Sequence, residues 1–276
     1  MIKPYFETEN GKLYCGDCLR VLLDMPDESI DLTVTSPPYD NLRTYKGHRF
    51  NFEAVANELY RTTKQGGIVV WVVNDATAEG SESCTSFKHA LFFKEIGFNL
   101  HDTMIFAKNN YIPLTHNRYE QQFEYMFILS KKKVKTFNPI KTRSKSFGQV
   151  RKFSYMCGSS TEKTSGMRSG IDRQVILNEE KITPNIWFYN IGKNQSSKDN
   201  IAFNHPAIFP EKLAEDHIIS WSNEGDTVFD PMAGSGTTLK MAERFKRKWI
   251  GIEISEEYCS IIKKRIRAET RQLTIT

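Results

Sequence analysis

Between Val228 and Leu239 the chain reads VFDPMAGSGTTL, and Glu253 follows seventeen residues after Gly236. A strand ending at Asp230, a turn carrying Gly234 and Gly236, and a helix opening near Thr237 would bring a ligand close to free backbone N–H groups. The phosphate readings fit poorly. The stretch has no G-x-x-x-x-G-K-[ST], and Leu239 stands where the third glycine of G-x-G-x-x-G would be. The backbone nest could equally hold a carboxylate. An acid at the end of the next strand, as Glu253 would be, suits the two hydroxyls of a ribose. A glycine turn with a strand-end acid therefore points to a nucleoside cofactor without a diphosphate.

The second group of interest is Ser36-Pro37-Pro38-Tyr39. Upstream, Ile30, Leu32 and Val34 alternate with Asp31, Thr33 and Thr35, which is strand period. The ladder must stop at the prolines, which lack a backbone N–H and bias the residue before each of them to an extended conformation. The result is a stiff, non-helical corner projecting Tyr39 from a strand end. Taken alone, such a corner is equally a surface turn.

The elements that would position these groups alternate at both ends of the chain. Leu19, Leu22 and Leu23 mark a short helical face after Gly16-Asp17. Phe52, Val55, Ala56 and Leu59 recur at helical spacing, with Gly66-Gly67 expected to end that helix. Ile68–Val73 is a continuous apolar run, as in a strand covered on both faces. A helix is expected over Phe87–Ile96, then strands over Met104–Ala107 and Tyr125–Leu129, read as antiparallel. Regularity returns at His205 with a helix face of Phe209, Leu213 and Ile218, strands at Thr227–Phe229 and Trp249–Ile254, and a last helix carrying Tyr258, Ile261, Ile262 and Ile266. The fold class expected is α/β, a doubly wound, mostly parallel sheet. The expected organisation is one domain in two halves, 1–130 and 205–276, with an irregular insert at 131–204 containing isolated aromatics such as Trp187, Phe188 and Tyr189.

Charge singles out the same insert. Twelve Lys and Arg between Lys131 and Arg173 face only Glu162 and Asp172, a local +10 in a chain of net +5, so the remainder sums to −5. A basic block on a slightly acidic protein is the footprint of a polyanionic partner. With 276 residues and 39% hydrophobic content a sizeable core is available. No run of about 18 apolar residues suggests a membrane span, and the N-terminus lacks a signal-peptide apolar stretch. Five scattered cysteines suit a reducing compartment. Cys15 and Cys18 form one C-x-x-C without the second ligand pair that zinc requires, so buried or half-buried thiols are expected and no metal.

Together these stretches resemble the circularly permuted, β-group DNA amino-methyltransferases that use S-adenosylmethionine. Ser36–Tyr39 resembles the catalytic motif, Phe229–Thr238 the methionine-binding loop, Gly251–Tyr258 the ribose-binding strand, Gly16–Leu22 the segment whose Asp contacts adenine, and His205–Leu213 a helix before the cofactor loop. The resemblance covers most of the chain outside Lys131–Asn204 and implies a Rossmann-like methyltransferase fold. It implies catalytic Ser36, Pro37, Pro38 and Tyr39, and cofactor contacts from Asp17, Phe229, Asp230, Pro231, Ala233, Gly234, Ser235, Gly236, Thr237, Glu253 and Ile254. The substrate implied is an exocyclic amine on a base extruded from duplex DNA. Its lone pair is delocalised into the ring. The Ser36 hydroxyl and Pro37 carbonyl would accept from the NH2 and favour a pyramidal nitrogen, while Tyr39 stacks on the base for about 1–3 kcal/mol. Ser at the first motif position is more typical of cytosine-N4 than of adenine-N6 enzymes. The absence of a Pro-Cys dipeptide argues against thiolate chemistry at cytosine C5.

The insert would be the target-recognition region, with Arg143, Arg151, Arg168 and Arg173, and Arg43 and Lys46 beside the catalytic corner, as DNA-contacting candidates. A homodimer, a cognate restriction endonuclease and a bacterial or phage cytoplasm are further implications of the family. The rival readings are adenine-N6 methylation, glutamine methylation of proteins, and a non-catalytic DNA-binding protein on the same scaffold.

Overall fold

The computed structural model describes residues 2–38, 50–111, 117–153, 173–206 and 208–275, with backbone only at 152, 153, 173, 174 and 273–275. The strands are β1 (Phe6–Glu7), β2 (Gly11–Cys15), β3 (Ile30–Thr35), β4 (Thr63–Val73), β5 (Thr77–Ala78), β6 (Ser81–Glu82), β7 (Asn99–Lys108), β8 (Phe123–Ser130), β9 (Lys141–Arg143), β10 (Val150–Phe153), β11 (Arg173–Ile176), β12 (Glu180–Ile182), β13 (Ile186–Tyr189), β14 (Thr227–Asp230) and β15 (Lys248–Glu253). The helices are α1 (Cys18–Leu23), α2 (Phe52–Thr62), α3 (Thr85–Glu95), α4 (Glu211–Trp221), α5 (Thr237–Arg244) and α6 (Glu256–Ile275).

Nine strands form one sheet in the order β1-β2-β15-β14-β3-β4-β8-β7-β13. From β2 to β4 all neighbours are parallel. β8 runs antiparallel to both β4 and β7, as expected for that pair, and β13 extends β7 in parallel. The two ends of the chain interleave in the middle: β14, from the C-terminal part, lies directly beside β3. The crossover after β3 leads one way along the sheet to β4, and the crossover after β14 leads the other way to β15. Strand order therefore reverses at β3/β14, and a crevice opens at the carboxyl ends of those strands.

The continuous run in β4 explains the layering. Ile68, Val70 and Val72 join one core with Leu213, Leu239, Met241 and Ile262 of α4, α5 and α6. Val69, Trp71 and Val73 join the other with Val55, Leu59 and Phe93 of α2 and α3. Alternate side chains point to opposite faces, so a strand covered on both faces must be apolar at every position.

Several details depart from the sequence-based expectation. α2 stops at Thr62 rather than at the glycines: Thr63 caps it with extended backbone (ψ 131°), its N–H still donating to Leu59 O, and the hydroxyls of Thr62 and Thr63 donate to Glu58 O (2.8 Å) and Leu59 O (2.6 Å). Gly66 and Gly67 lie inside β4, where the pairing with β3 jumps from Ile30↔Thr63 to Leu32↔Ile68. Trp187, Phe188 and Tyr189 belong to β13, with Ile186 and Phe188 exposed and Tyr189 buried. Lys131 leaves the basic block. Its ammonium is buried and donates to Tyr60 O (2.8 Å) and Thr63 O (3.0 Å).

The chain divides into two compact units, residues 1–138 with 185–276, and Pro139–Pro184. The second is narrower than the expected insert and more regular. β9 pairs with β12 and β10 with β11, both antiparallel. Nine Lys and Arg face four Asp and Glu between 139 and 184, a net +5 equal to that of the whole chain. Among the described residues no helix is long and apolar enough to cross a membrane.

Candidate active site

β3 delivers Ser36, Pro37 and Pro38 to the rim of the crevice, half-buried, buried and half-buried respectively. The preceding Thr35 is buried, and its hydroxyl donates to Asp230 Oδ1 at 2.8 Å, which fastens the ends of β3 and β14 to each other. Thr238 Oγ1 donates to Val34 O at 3.1 Å and adds a second tie. Tyr39, Arg43, Lys46 and Arg168 lie outside the described residues.

Beyond β14 the chain makes a tight turn from Pro231 to Gly236 before α5 begins at Thr237. Ala233 N donates to Ile252 O (2.8 Å) and Gly236 N to Ala233 O (2.6 Å). Both glycines are needed for shape. Gly234 (φ +52°) lies so close to His205 that a Cβ would come within 3.0 Å of its ring, and at Gly236 (φ +78°) a Cβ would sit 2.9 Å from Ile262. Glu253 closes the turn from the neighbouring strand. Its Oε2 accepts from Gly234 N (2.8 Å) and its Oε1 from Ser255 N (2.9 Å). Burial raises its carboxyl pKa, against the pull of these amide donors. A carboxylate has about four acceptor positions, so two amide donors leave room for a diol.

Asp17 follows β2 and caps α1, its Oδ1 accepting from Arg20 N at 3.1 Å. Gly16 N donates to Glu253 O at 2.9 Å, so Asp17 and Glu253 stand at adjacent strand ends. Burial pushes the Cys18 thiol up to about 11, which keeps it a thiol at neutral pH. Among the described residues there is no group of three His, Cys, Asp or Glu placed to hold a metal.

These groups surround a single cavity of about 770 Å³. Ser36, Pro37 and Pro38 form one side of its lining. Asp17, Pro231, Ala233, Gly234, Ser235, Thr237, Glu253 and Ile254 form another. Phe229, Asp230 and Gly236 stand behind the wall instead. Phe229 is fully buried in the core, and Gly236 packs on Ile262. Asp230 spends its carboxylate on Thr35 and on Met232 N (3.1 Å), and burial pushes its pKa up to about 7. Arg143 and Arg151 are exposed on the Pro139–Pro184 unit, and Arg173 lies on β11 of that unit.

The sequence reading missed other lining residues. Lys108 and Glu124, at the facing ends of β7 and β8, make a 2.7 Å ion pair in the wall. Only the antiparallel pairing brings them to this edge, so no local signal marks them. Asn51 also lines the cavity and had a legible signal, an Asn directly before an apolar helical run, and it caps α2 through Ala54 N (3.2 Å). His205 and Pro206 reach the cavity at the end of the short 3-10 helix Asn200–Asn204, since α4 starts only at Glu211. The arrangement can hold a nucleoside-sized group against the glycine turn and present an acceptor corner to a second reactant.

Comparison with known proteins is consistent with this geometry. Residues 30–264 match the family model N6_N4_Mtase, described as DNA methylase. The chain is 56% identical over 241 residues to the orphan methyltransferase M.BamHII of Bacillus amyloliquefaciens, covering 87% of this chain and 90% of that protein. It is 28% identical over 287 residues to the type II methyltransferase M.BamHI of the same organism, covering 96% of this chain and 59% of that longer protein. Among solved structures, the PvuII DNA methyltransferase, titled cytosine-N4-specific, superposes with a TM-score of 0.71 at 24% identity, covering 98% of this chain and 93% of that one.

Proposed function

The chain belongs to the N6/N4 DNA methylase family, and we propose that it transfers a methyl group from S-adenosylmethionine to the exocyclic N4 amine of a cytosine flipped out of duplex DNA. The observation that carries this reading is the meeting of Ser36–Pro38, from one end of the chain, with Pro231–Thr237 and Glu253, from the other, in one cavity at the sheet's switch point.

The residues fit the cofactor. The backbone of the Gly234 turn lines the cavity without a side chain, and Glu253 beside it keeps acceptor positions for ribose hydroxyls. Asp17 would take the adenine and the backbone around Ser235 the methionine carboxylate. When bound, the cofactor supplies an electrophilic methyl on a sulfonium. The chain's own task is alignment, which dominates a transfer that needs no covalent enzyme intermediate. Ser36 Oγ and Pro37 O would accept the two amine hydrogens and turn the freed lone pair toward the methyl carbon; as the N–C bond formed, the C–S bond would break to leave a neutral thioether, and the excess amine proton would pass to water. Tyr39 would stack on the flipped base. Ser at position 36, where adenine enzymes mostly carry Asp, supports cytosine as the target.

The Pro139–Pro184 unit is the proposed target-recognition region. Its net +5 would neutralise phosphates and make binding steeply salt-dependent. Nucleoside mass spectrometry on mixed-sequence duplex DNA, incubated with protein and S-adenosylmethionine, tests the whole reading. A rise in N4-methylcytosine is expected. N6-methyladenine would keep the mechanism and overturn the base, and no methylated base with cofactor binding intact would overturn DNA as substrate.

A further inference from the structure

Behind the cofactor turn lies a group of charges that the proposed reaction does not use. Lys240 of α5, Arg244 at its end and Arg265 of α6 face Asp199, Glu211 and Glu269, three cations against three carboxylates. Arg265 is completely buried and Lys240 nearly so. Burial opposes ionisation of Asp199 and Glu211, yet hydrogen bonds and charge from Lys240 and Arg265 hold both carboxyls below their ordinary range.

The fork of Arg265 reaches three chain segments at once. One nitrogen donates to Ser235 O at 2.6 Å and lies 3.2 and 3.3 Å from the hydroxyls of Ser235 and Thr237. The other terminal nitrogen donates to Glu211 Oε1 (2.6 Å), and Nε donates to Asp199 Oδ2 (3.1 Å). Glu211 in turn accepts from Ser197 Oγ (2.7 Å), and its backbone N–H donates to Ser196 O (2.8 Å). Ser235 and Thr237 line one side of the cavity, while Ser196, Phe203 and His205 line another. One guanidinium thus ties both walls to α6.

Stability alone is a weak reason for this network, since well-packed apolar residues often replace buried ion groups without loss. What a planar five-donor fork adds is fixed direction. Holding Ser235 O fixes the Ser235–Gly236 peptide plane, whose N–H closes the turn onto Ala233 O at 2.6 Å.

We propose that Arg265 is a positioning residue for methyl transfer, clamping the glycine turn and the Ser196–His205 segment in the spacing that binds S-adenosylmethionine. The proposal rests on the cofactor reading above. Lysine keeps the charge but lacks the planar fork whose three nitrogens reach Ser235 O, Asp199 and Glu211 in fixed directions. Arg265→Lys in the full chain should weaken S-adenosylmethionine binding about tenfold by calorimetry, with kcat at saturating cofactor within about threefold. Arg244→Gln, which perturbs the same network through Glu269 without touching Ser235, should lower the melting temperature and leave cofactor affinity within twofold. Glu211→Gln, retaining shape while losing the shared carboxylate, should resemble Arg265→Lys and serves if that variant folds poorly.

Amide hydrogen exchange of the ligand-free proteins reads the clamp independently of any cofactor. Faster exchange at 233–237 and 196–205 is expected in Arg265→Lys and not in Arg244→Gln. Unchanged exchange there, or cofactor affinity that follows melting temperature equally in all variants, would overturn the clamp. Faster exchange in a protein whose wild type fails to bind S-adenosylmethionine would leave the clamp standing and sink the functional reading.

Discussion

The glycine turn at Pro231–Thr237 and the Pro139–Pro184 unit both owe little to long regular elements, but they are held in opposite ways. In the turn, nearly every polar group has a buried partner: Asp230 with Thr35, Glu253 with Gly234 and Ser255, Ser235 O with Arg265. In the unit, two short antiparallel ribbons carry exposed side chains, including Phe147, Val150, Ile176 and Ile182, and its ion pairs, such as Arg143–Glu179 at 3.7 Å, lie in solvent. Buried satisfied polar groups specify one geometry because leaving any of them unpaired costs about 1–3 kcal/mol. Exposed pairs contribute about 0.2–1 kcal/mol and leave the surface free to meet a partner. The turn proposed to hold the cofactor and the unit proposed to meet DNA therefore differ in where their charges sit.

A matched pair of glycine substitutions tests this contrast with the largest expected effect. Gly236 and Gly148 share a left-handed φ, +78° and +76°, but a Cβ at Gly236 would meet Ile262 at 2.9 Å whereas one at Gly148 would meet nothing within 4 Å. Gly236→Ala should cost about 2–5 kcal/mol, strain plus overpacking, and Gly148→Ala only the strain of about 1–2 kcal/mol. Urea unfolding midpoints measure both, and equal losses would break the comparison.

Asp230 offers a smaller, pH-dependent effect. Its folded pKa, pushed up to about 7 by burial, lies above the ordinary value of about 3.9. The folded state thus binds its proton more tightly, and the stability this represents is present at low pH and lost as pH rises from about 4 to about 7. Asn at this position does not titrate. The melting temperature of Asp230→Asn relative to wild type should climb across that window and level off above it, with at most about 1.4 kcal/mol per pH unit at stake. A flat difference would show that the carboxylate is charged in the fold throughout.

The smallest effects are expected in the ribbons. Arg143→Ala and Arg151→Ala should leave thermal stability almost unchanged. Each should flatten the slope of log affinity for duplex DNA against log salt by about 0.9 if it contacts one phosphate. Unchanged slopes in both would remove these two residues from the proposed DNA surface.

Much of the site was legible because its signals are local. The alternation in Ile30–Thr35, the run Ile68–Val73 and the glycines before Thr237 each predict an element within the window that contains them. β13 was not legible, since its four residues stand alone in a polar, irregular stretch, and Ile186 and Phe188 are exposed rather than marking a buried face. Lys131 looked like surface because it opens a run of three lysines, and only the fold shows its ammonium capping the carbonyls of Tyr60 and Thr63. Arg265 sits in the run Lys263–Arg267, which by composition reads as a solvated face, yet it is completely buried.

By itself, then, the sequence determined which residue types could take part in chemistry and which strand or turn would carry each, because dihedral preference and hydrophobic period act over a few residues. Tertiary structure alone decided that β14 lies beside β3, that Ser36 and Gly234 share a cavity while Asp230 stands behind its wall, and that one arginine near the C-terminus ties the two walls together. Those outcomes depend on which distant segments bury each other's polar and apolar groups, and that free energy belongs to the assembled sheet rather than to any one stretch of chain.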